Sequence, residues 1–328
     1  MMKGEKGHFV VQMLVKRLVG LILIVLAITF VTFILGYMAP GDPIRILLGQ
    51  QFNPTVYALL RHKYGLDQPW YQQYETFLFN LFHFNLGTSY TQTNRPVWDI
   101  LKEGVPISVE LGFWALVIEF LVGIPLGILA ATRAGTWSDT LSTGALLIAY
   151  TIPTFITCVF VQVLVVWVDQ QTNIGWPVAG WGAPWHYDWG DLRYKIAPIL
   201  ILSLGGIAYI ARFTRSNLLE VIHQDYIRTA RGKGLSERVV IYRHALRNAL
   251  IPLVTLLGLS LGLLIAGTFF IEFIFNIPGI ANITIRSVMA YDYPVIQATA
   301  ILLAFGVVLG NLLSDLLYSL VDPRIKFA

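Results

Sequence analysis

Cysteine occurs once in the chain's 328 residues, at Cys158. A single thiol excludes an intramolecular disulfide and any metal site built on several cysteines, and in an apolar run it acts as a small hydrophobe. Charge is scarce as well. Charged residues make up 13% of the chain, against about 25% in soluble domains, while 56% are hydrophobic, which excludes a soluble globular fold and leaves an all-α integral membrane protein. Catalytic signatures are missing: there is no Gly-x-Ser-x-Gly, no His-Glu-x-x-His and no Gly-x-x-x-x-Gly-Lys-Ser/Thr. Gly232-Lys233-Gly234 has the letters of a phosphate loop without its spacing or hydroxyl, so the chain is not expected to be an enzyme or to hydrolyse ATP. No internal repeat or low-complexity segment is present.

What is abundant is long apolar runs of about the 20 residues a helix needs to cross hydrocarbon. Leu18–Met38 is read as a retained first span, too long for a signal-peptide core and followed by Pro40. Five more follow: Ser108–Thr132, Leu141–Val168, Ile196–Phe213, Ala249–Ile271 and Val295–Val321. Pro125 and Pro153 predict kinks and not breaks, because neighbours in a bundle can satisfy the freed carbonyls. Gly205-Gly206 allows close helix approach, and Gly123-x-x-x-Gly127 and Gly258-x-x-x-Gly262 are read as ordinary packing. The chain divides into residues 1–38 (N-terminus and first helix), 39–106 (a polar region) and 107–328 (a five-helix core containing the loop 212–248). Within 39–106, the aromatic stretch Tyr71–Phe84 is expected to lie along the membrane surface or pack on the bundle. Trp176, Trp181, Trp185, Tyr187 and Trp189 mark a second interfacial loop.

Six spans put both termini on one side. That side carries 15 Lys and Arg against 8 opposite, so the positive-inside rule makes the termini and the loop 212–248 cytoplasmic and the region 39–106 extracytoplasmic. From Arg212 to Arg247 the loop has 8 basic residues against Glu220, Asp225 and Glu237, a net of +5. Topology demands such charge, and no nucleic acid is expected as a partner. Glu119 and Asp315 lie inside spans, where ionisable groups face the bundle interior or a wet cavity, and they are candidates for a translocation path or for ties between helices. Glu110 and Glu272 lie near span ends and are read as ties. Two deep carboxylates without paired intramembrane Lys, Arg or His make a thin case for a proton-coupled secondary transporter.

The loop reads as helix, tight turn, helix. Leu218, Leu219, Val221, Ile222, Tyr226 and Ile227 recur at helical spacing, Gly234 suits a helix C-terminus and Ser236 an N-cap. Small residues Thr229, Ala230 and Gly232 near the bend allow a groove of another protein to approach, which suits a docking element.

Asp225-Tyr-Ile-Arg-Thr-Ala-Arg-Gly-Lys-Gly-Leu235, followed by His244-Ala-Leu-Arg-Asn-Ala-Leu-Ile-Pro252, closely resembles the cytoplasmic coupling motif of ABC importer permeases of the dipeptide and oligopeptide branch. Pro40-Gly-Asp-Pro43, Tyr64-Gly-Leu-Asp-Gln-Pro69, Pro278-Gly279, Asp292-Tyr-Pro294 and Asp322-Pro-Arg324 carry the resemblance over nearly the whole chain. Arg228-Thr229-Ala230 replaces the generic Glu-Ala-Ala, in keeping with the peptide branch, and Gly232 stands where alanine is common. The resemblance implies the six-helix type I ABC importer permease fold in a bacterial inner membrane. It implies that Asp225, Tyr226, Arg228, Thr229, Ala230, Gly232 and Gly234 couple to an ATPase. The partners it implies are a second homologous permease subunit, two nucleotide-binding ATPase subunits, which would bind the ATP and Mg that this chain does not, and an extracytoplasmic solute-binding protein. Di- or oligopeptides are the expected substrate, with oligosaccharide, nickel or glutathione as alternatives.

Overall fold

The computed structural model describes residues 2–38, 41–50, 52–92, 95–264 and 268–321. Helices dominate these residues, with one isolated antiparallel bridge, Thr88 to Pro96. In chain order they are α1 (Met2–Met38), α2 (Pro43–Leu48), α3 (Pro54–Lys63), α4 (Trp70–Phe82), α5 (Val97–Thr132), α6 (Trp137–Thr151), α7 (Thr154–Thr172) and α8 (Trp189–Ile222). Next come α9 (Asp225–Gly232), α10 (Glu237–Val239), a π-helical turn Val240–Ala245, α11 (Leu246–Ala249), α12 (Ile251–Leu263), α13 (Phe269–Ile274), α14 (Ile280–Met289) and α15 (Tyr293–Val321). Five stretches are long and apolar enough to span a membrane, in α1 (Val19–Met38), α5, α7, α8 and α15 (Tyr293–Ser314). The pair Glu237–Ala249 and Ile251–Gly262, bent by 45°, brings the number to six if it is one span.

Two expected spans differ. The stretch Leu141–Val168 is broken into α6 and α7 at Ile152-Pro153, where a kink is predicted. Proline pushes the preceding residue out of the helical region, and Ile152 is extended at ψ 122° while Pro153 starts α7. At Pro125, by contrast, α5 runs on unbroken. The stretch Ala249–Ile271 is interrupted as well, since α12 ends at Leu263 and α13 begins only at Phe269. The span Ile196–Phe213 lies in a longer helix, α8, which continues through Arg212 and Arg215 and takes in the first part of the expected loop.

The chain forms two units, Met1–Ser108 with Pro278–Val308 and Val109–Ile277 with Leu309–Ala328. In the first, Val97, Ile100 and Leu101 of α5 pack on Ile280, Val295 and Ala298, and the Ser108 hydroxyl accepts the Ile280 N–H at 2.8 Å. The aromatic helix α4 packs on α1: the Tyr74 ring lies 5.2 Å from Phe33 and 5.5 Å from Phe30. Helices α2 and α3 start by one device, Asp42-Pro43 and Asn53-Pro54, in which the side-chain oxygen caps the first turn and proline fills the position whose N–H would be unpaired.

In the second unit α5 and α8 touch through glycine. A methyl at Gly123 would meet Ile210 at 2.9 Å, and one at Gly127 would meet Thr214 at 2.6 Å. The pair Gly258 and Gly262 meets Ser314 and Gly310 of α15 in the same way. The expected glycine packing is therefore present, with one exception: Gly206 is closely faced by a side chain, and Gly205 has nothing within 4 Å.

Candidate functional site

Helix α9 is the short amphipathic element of the loop. Its inner face, Ile227 and Ala230, is buried in a core with Leu218, Val240, Ala245 and Ala249, and with Ile128 and Ala131 of α5. Its outer face carries Tyr226, Arg228, Thr229 and Gly232, all exposed, and a side chain added at Gly232 would meet nothing within 4 Å. Ala230, one of the three small residues expected to let another protein's groove approach, packs on the chain's own core. Thr229 and Gly232 are the small residues that face outward.

Local bonds hold the shape of this element. The Thr229 hydroxyl donates to the Asp225 carbonyl at 3.0 Å, and Asn248 reaches the Tyr226 hydroxyl at 2.8 Å. Arg231 grips Glu237 bidentately at 3.0 and 2.6 Å across the turn, a geometry that adds direction as well as strength. That pair raises the Arg231 pKa and lowers that of Glu237, so both stay charged. Gly234 adopts φ +78°, the left-handed conformation expected of it, and Ser236 precedes α10 as the N-cap residue, though its side chain makes no capping bond. Asp225 sits in the first turn, 3.6 Å from Arg228.

Of the intramembrane carboxylates, Glu119 is half-buried on α5 and lies directly over Gly206 of α8, in space a methyl there would need. Asp315 falls on α15, and its side chain lies outside the described residues.

The strongest electrostatic feature was not legible as a pair. Glu110 of α5 and Lys195 of α8 are both fully buried and 2.7 Å apart. The Lys195 ammonium also donates to the carbonyls of Ala183 and His186, each at 2.8 Å, and Glu110 accepts from Trp181 Nε1 at 2.9 Å and the Trp185 N–H at 2.8 Å. Glu110 is a tie, as expected, and it anchors the tryptophan-rich loop. A second pair, Asp139 of α6 with Arg215 of α8, is bidentate at 2.9 and 2.8 Å. Glu272 is fully buried and receives the Thr268 N–H at 3.1 Å.

In the first unit Asp292 is buried and accepts from the Ser89 hydroxyl, the Tyr90 N–H (3.0 Å), the Thr91 N–H (3.3 Å) and the Thr91 hydroxyl (2.7 Å), tying the loop before α5 to the start of α15. Among the described residues one cluster brings three metal-type ligand atoms together, His186, Asp188 and Asp191, within 4.8 Å. Asp188 caps α8 and Asp191 pairs with His186 at 2.8 Å, so the cluster is accounted for as a helix start.

Several helices long and apolar enough to cross a membrane, with a core-anchored amphipathic helix between two of them, define a multi-pass membrane protein. Residues 123–327 match the family model of the binding-protein-dependent transport system inner membrane component, and residues 10–112 match its N-terminal membrane component. The chain belongs to this family. It is 38% identical to a putative peptide transport system permease protein of Brucella abortus (strain 2308), over 96% of this chain and 99% of that one. It is 36% identical to the dipeptide transport system permease protein DppB of Escherichia coli K12, over 96% and 98%. Among solved structures it resembles the inward-facing MetNI methionine ABC transporter, with a TM-score of 0.54, 22% identity and coverage of 69% of this chain and 97% of that one, which gives it the type I permease fold.

Proposed function

We propose that the chain is one of two homologous membrane subunits of an ATP-driven peptide importer in a bacterial inner membrane, with both termini in the cytoplasm. Two ATPase subunits bind ATP and Mg and hydrolyse the nucleotide, and an extracytoplasmic binding protein delivers the substrate. The observation that carries the reading is α9: one face is fixed in the subunit's own core and the other is free, so a force applied there moves the bundle instead of bending a loop. The names of the relatives support a peptide substrate. The excess of Lys and Arg on the terminal side supports the orientation.

Asp225, Tyr226, Arg228, Thr229 and Gly232 contact the ATPase, Ala230 seats the helix, and Gly234 sets the turn. Glu119, opposite Gly206, is on the translocation path, and Asp315 is assigned there with it. Thr229→Trp and Gly232→Trp add bulk to the free face without touching the core. In the reconstituted importer they are expected to abolish peptide uptake and binding-protein-stimulated ATPase activity while membrane insertion stays normal. Proton-driven peptide uptake by the purified chain alone would replace this reading with a secondary transporter.

A further inference from the structure

Within the first unit, the ends of α1 and α15 and helices α2 to α4 line a cavity of about 610 Å³, within the range of about 300 to 1,000 Å³ that small-ligand sites occupy. Its walls are aromatic. Phe33, Phe77, Tyr64 and Tyr90 contribute, with the two tyrosine rings 4.7 Å apart, and burial together with the charge of Asp292 pushes the Tyr90 hydroxyl up, so it stays neutral.

Two polar groups on its α15 side lack partners. Gln297 is only 8% exposed, and its side-chain amide makes no hydrogen bond among the described residues. One turn earlier on the same helix face, the Tyr293 hydroxyl is buried without a partner. Native structures pair the great majority of buried polar groups, so the buried Tyr293 hydroxyl, with the unbonded Gln297 amide at i+4 on the same cavity, calls for an occupant that offers hydrogen bonds.

The rim indicates its charge. Arg61 and Lys63 line it, and Arg61 spends only its Nε on the protein, toward the Leu66 carbonyl at 3.3 Å. The one acidic residue on the lining, Asp42, already accepts from the N–H groups of Ile44 and Arg45 and from the Tyr57 hydroxyl. A molecule with an amide-bearing, partly apolar body and an anionic end matches all three walls. We propose that this cavity is a receiving site for the carboxylate end of a short peptide, with Gln297 and Tyr293 pairing its last peptide group and the carboxylate toward Arg61. The assignment rests on the peptide reading above and adds a site at the ends of the spans in α1 and α15 where substrate is held on its way from the binding protein.

The test uses the complete importer with its binding protein in proteoliposomes. Thr76, an exposed residue of the wall, is changed to cysteine in a Cys158→Ala background and labelled with a maleimide, with tri-alanine or tri-alanine amide as protectant. Tri-alanine is expected to slow labelling and its amide to protect poorly. Gln297→Leu and Tyr293→Phe are each expected to raise the half-protecting concentration about 2- to 10-fold, the worth of one hydrogen bond. Tyr293→Phe removes a single oxygen and decides the matter if Gln297→Leu fails to assemble. Uptake of tri-alanine without protection at Thr76→Cys overturns the cavity and leaves peptide import standing. Equal protection by acid and amide overturns the carboxylate assignment, and protection unchanged in both variants overturns the roles of Gln297 and Tyr293. Failure of the intact importer to take up any di-, tri- or pentapeptide overturns the peptide reading and this site with it.

Discussion

Changing Lys195 to methionine keeps the length of the side chain and removes one charge and three donors. In the structure those donors serve Glu110 at 2.7 Å and the carbonyls of Ala183 and His186, each at 2.8 Å, and the ammonium lies 4.8 Å from the Tyr187 ring. Without it, Glu110 remains fully buried with two N–H donors and no counter-charge. Breaking one side of a buried pair costs about 3 to 5 kcal/mol, and here the cost falls on the tryptophan-rich loop that the pair anchors. At about 1.4 kcal/mol per tenfold, hydrogen exchange at the Trp185 amide, which donates to Glu110, should quicken about 100- to 5,000-fold. Exchange measured by mass spectrometry on the chain in lipid nanodiscs reads this directly. The double change Glu110→Gln with Lys195→Met orphans the same two carbonyls as Lys195→Met, at about 1 to 3 kcal/mol each, but leaves no buried unpaired charge, so it should exchange more slowly than Lys195→Met alone. Unchanged exchange in Lys195→Met, or a double variant that simply sums the two singles, would refute the reasoning.

Two further expectations concern the two units separately. His62 and Asp67 pair at 2.7 Å on the surface, and the hydrogen bond raises the His62 pKa from its ordinary 6.5 and lowers that of Asp67 from 3.8. The histidine's contribution is complete below its unfolded value and fades as pH climbs through the raised one; the aspartate's is complete above its unfolded value and fades as pH falls through the lowered one. The turn after α3 should therefore be held best between about pH 4 and 6.5, and Asp67→Asn should return the His62 titration midpoint, followed by NMR, toward 6.5. In the second unit, alanine at Gly258 would press on the backbone of Ser314, whose nitrogen lies 2.7 Å from the added carbon, whereas alanine at Gly206 would press on the movable carboxyl end of Glu119. Overpacking against backbone costs about 1 to 3 kcal/mol, so Gly258→Ala should lower the melting temperature of the solubilised protein more than Gly206→Ala, and the reverse order would contradict the packing described.

Local signals carried far in this chain. The turn at Gly234 was legible because a left-handed residue after a helix is a matter of one backbone angle, and only glycine adopts it freely. The apolar runs were legible because a helix in lipid satisfies its own backbone. What escaped depends on partners distant in sequence. Lys195 looked like the end of a polar loop, because nothing nearby indicates that Glu110, 85 positions earlier, receives it. Asp139 and Arg215, 76 positions apart, were hidden in the same way. The length of α8 was cut short because the apolar run ends at Phe213 and the basic loop was taken to begin there, although arginine is a good helix former and interrupts hydropathy without interrupting the helix. Whether proline kinks or breaks a helix is also a tertiary matter, decided one way at Pro125 and the other at Pro153.

Two ion pairs, one fully buried and one partly exposed, hold α8 at two levels. Lys195 and Arg215 are twenty positions apart on one helix, which at the helical rise is about 30 Å, the thickness of the hydrocarbon core. That separation matches the two edges of the core, where a charge is less expensive than at the centre, and each residue ties α8 to a different neighbour, Glu110 of α5 at one end and Asp139 of α6 at the other. A pair at each edge fixes the helix along its axis without placing charge in the lipid interior. Gly206 lies near the midpoint between them, and the carboxyl group of Glu119 rests against it. Glu119 therefore sits about midway between the two pairs, and no cation accompanies it among the ion pairs of the described residues. The ion pair at Lys195 and the glycine contacts at Gly123 and Gly127 hold α5 against α8 on either side of it.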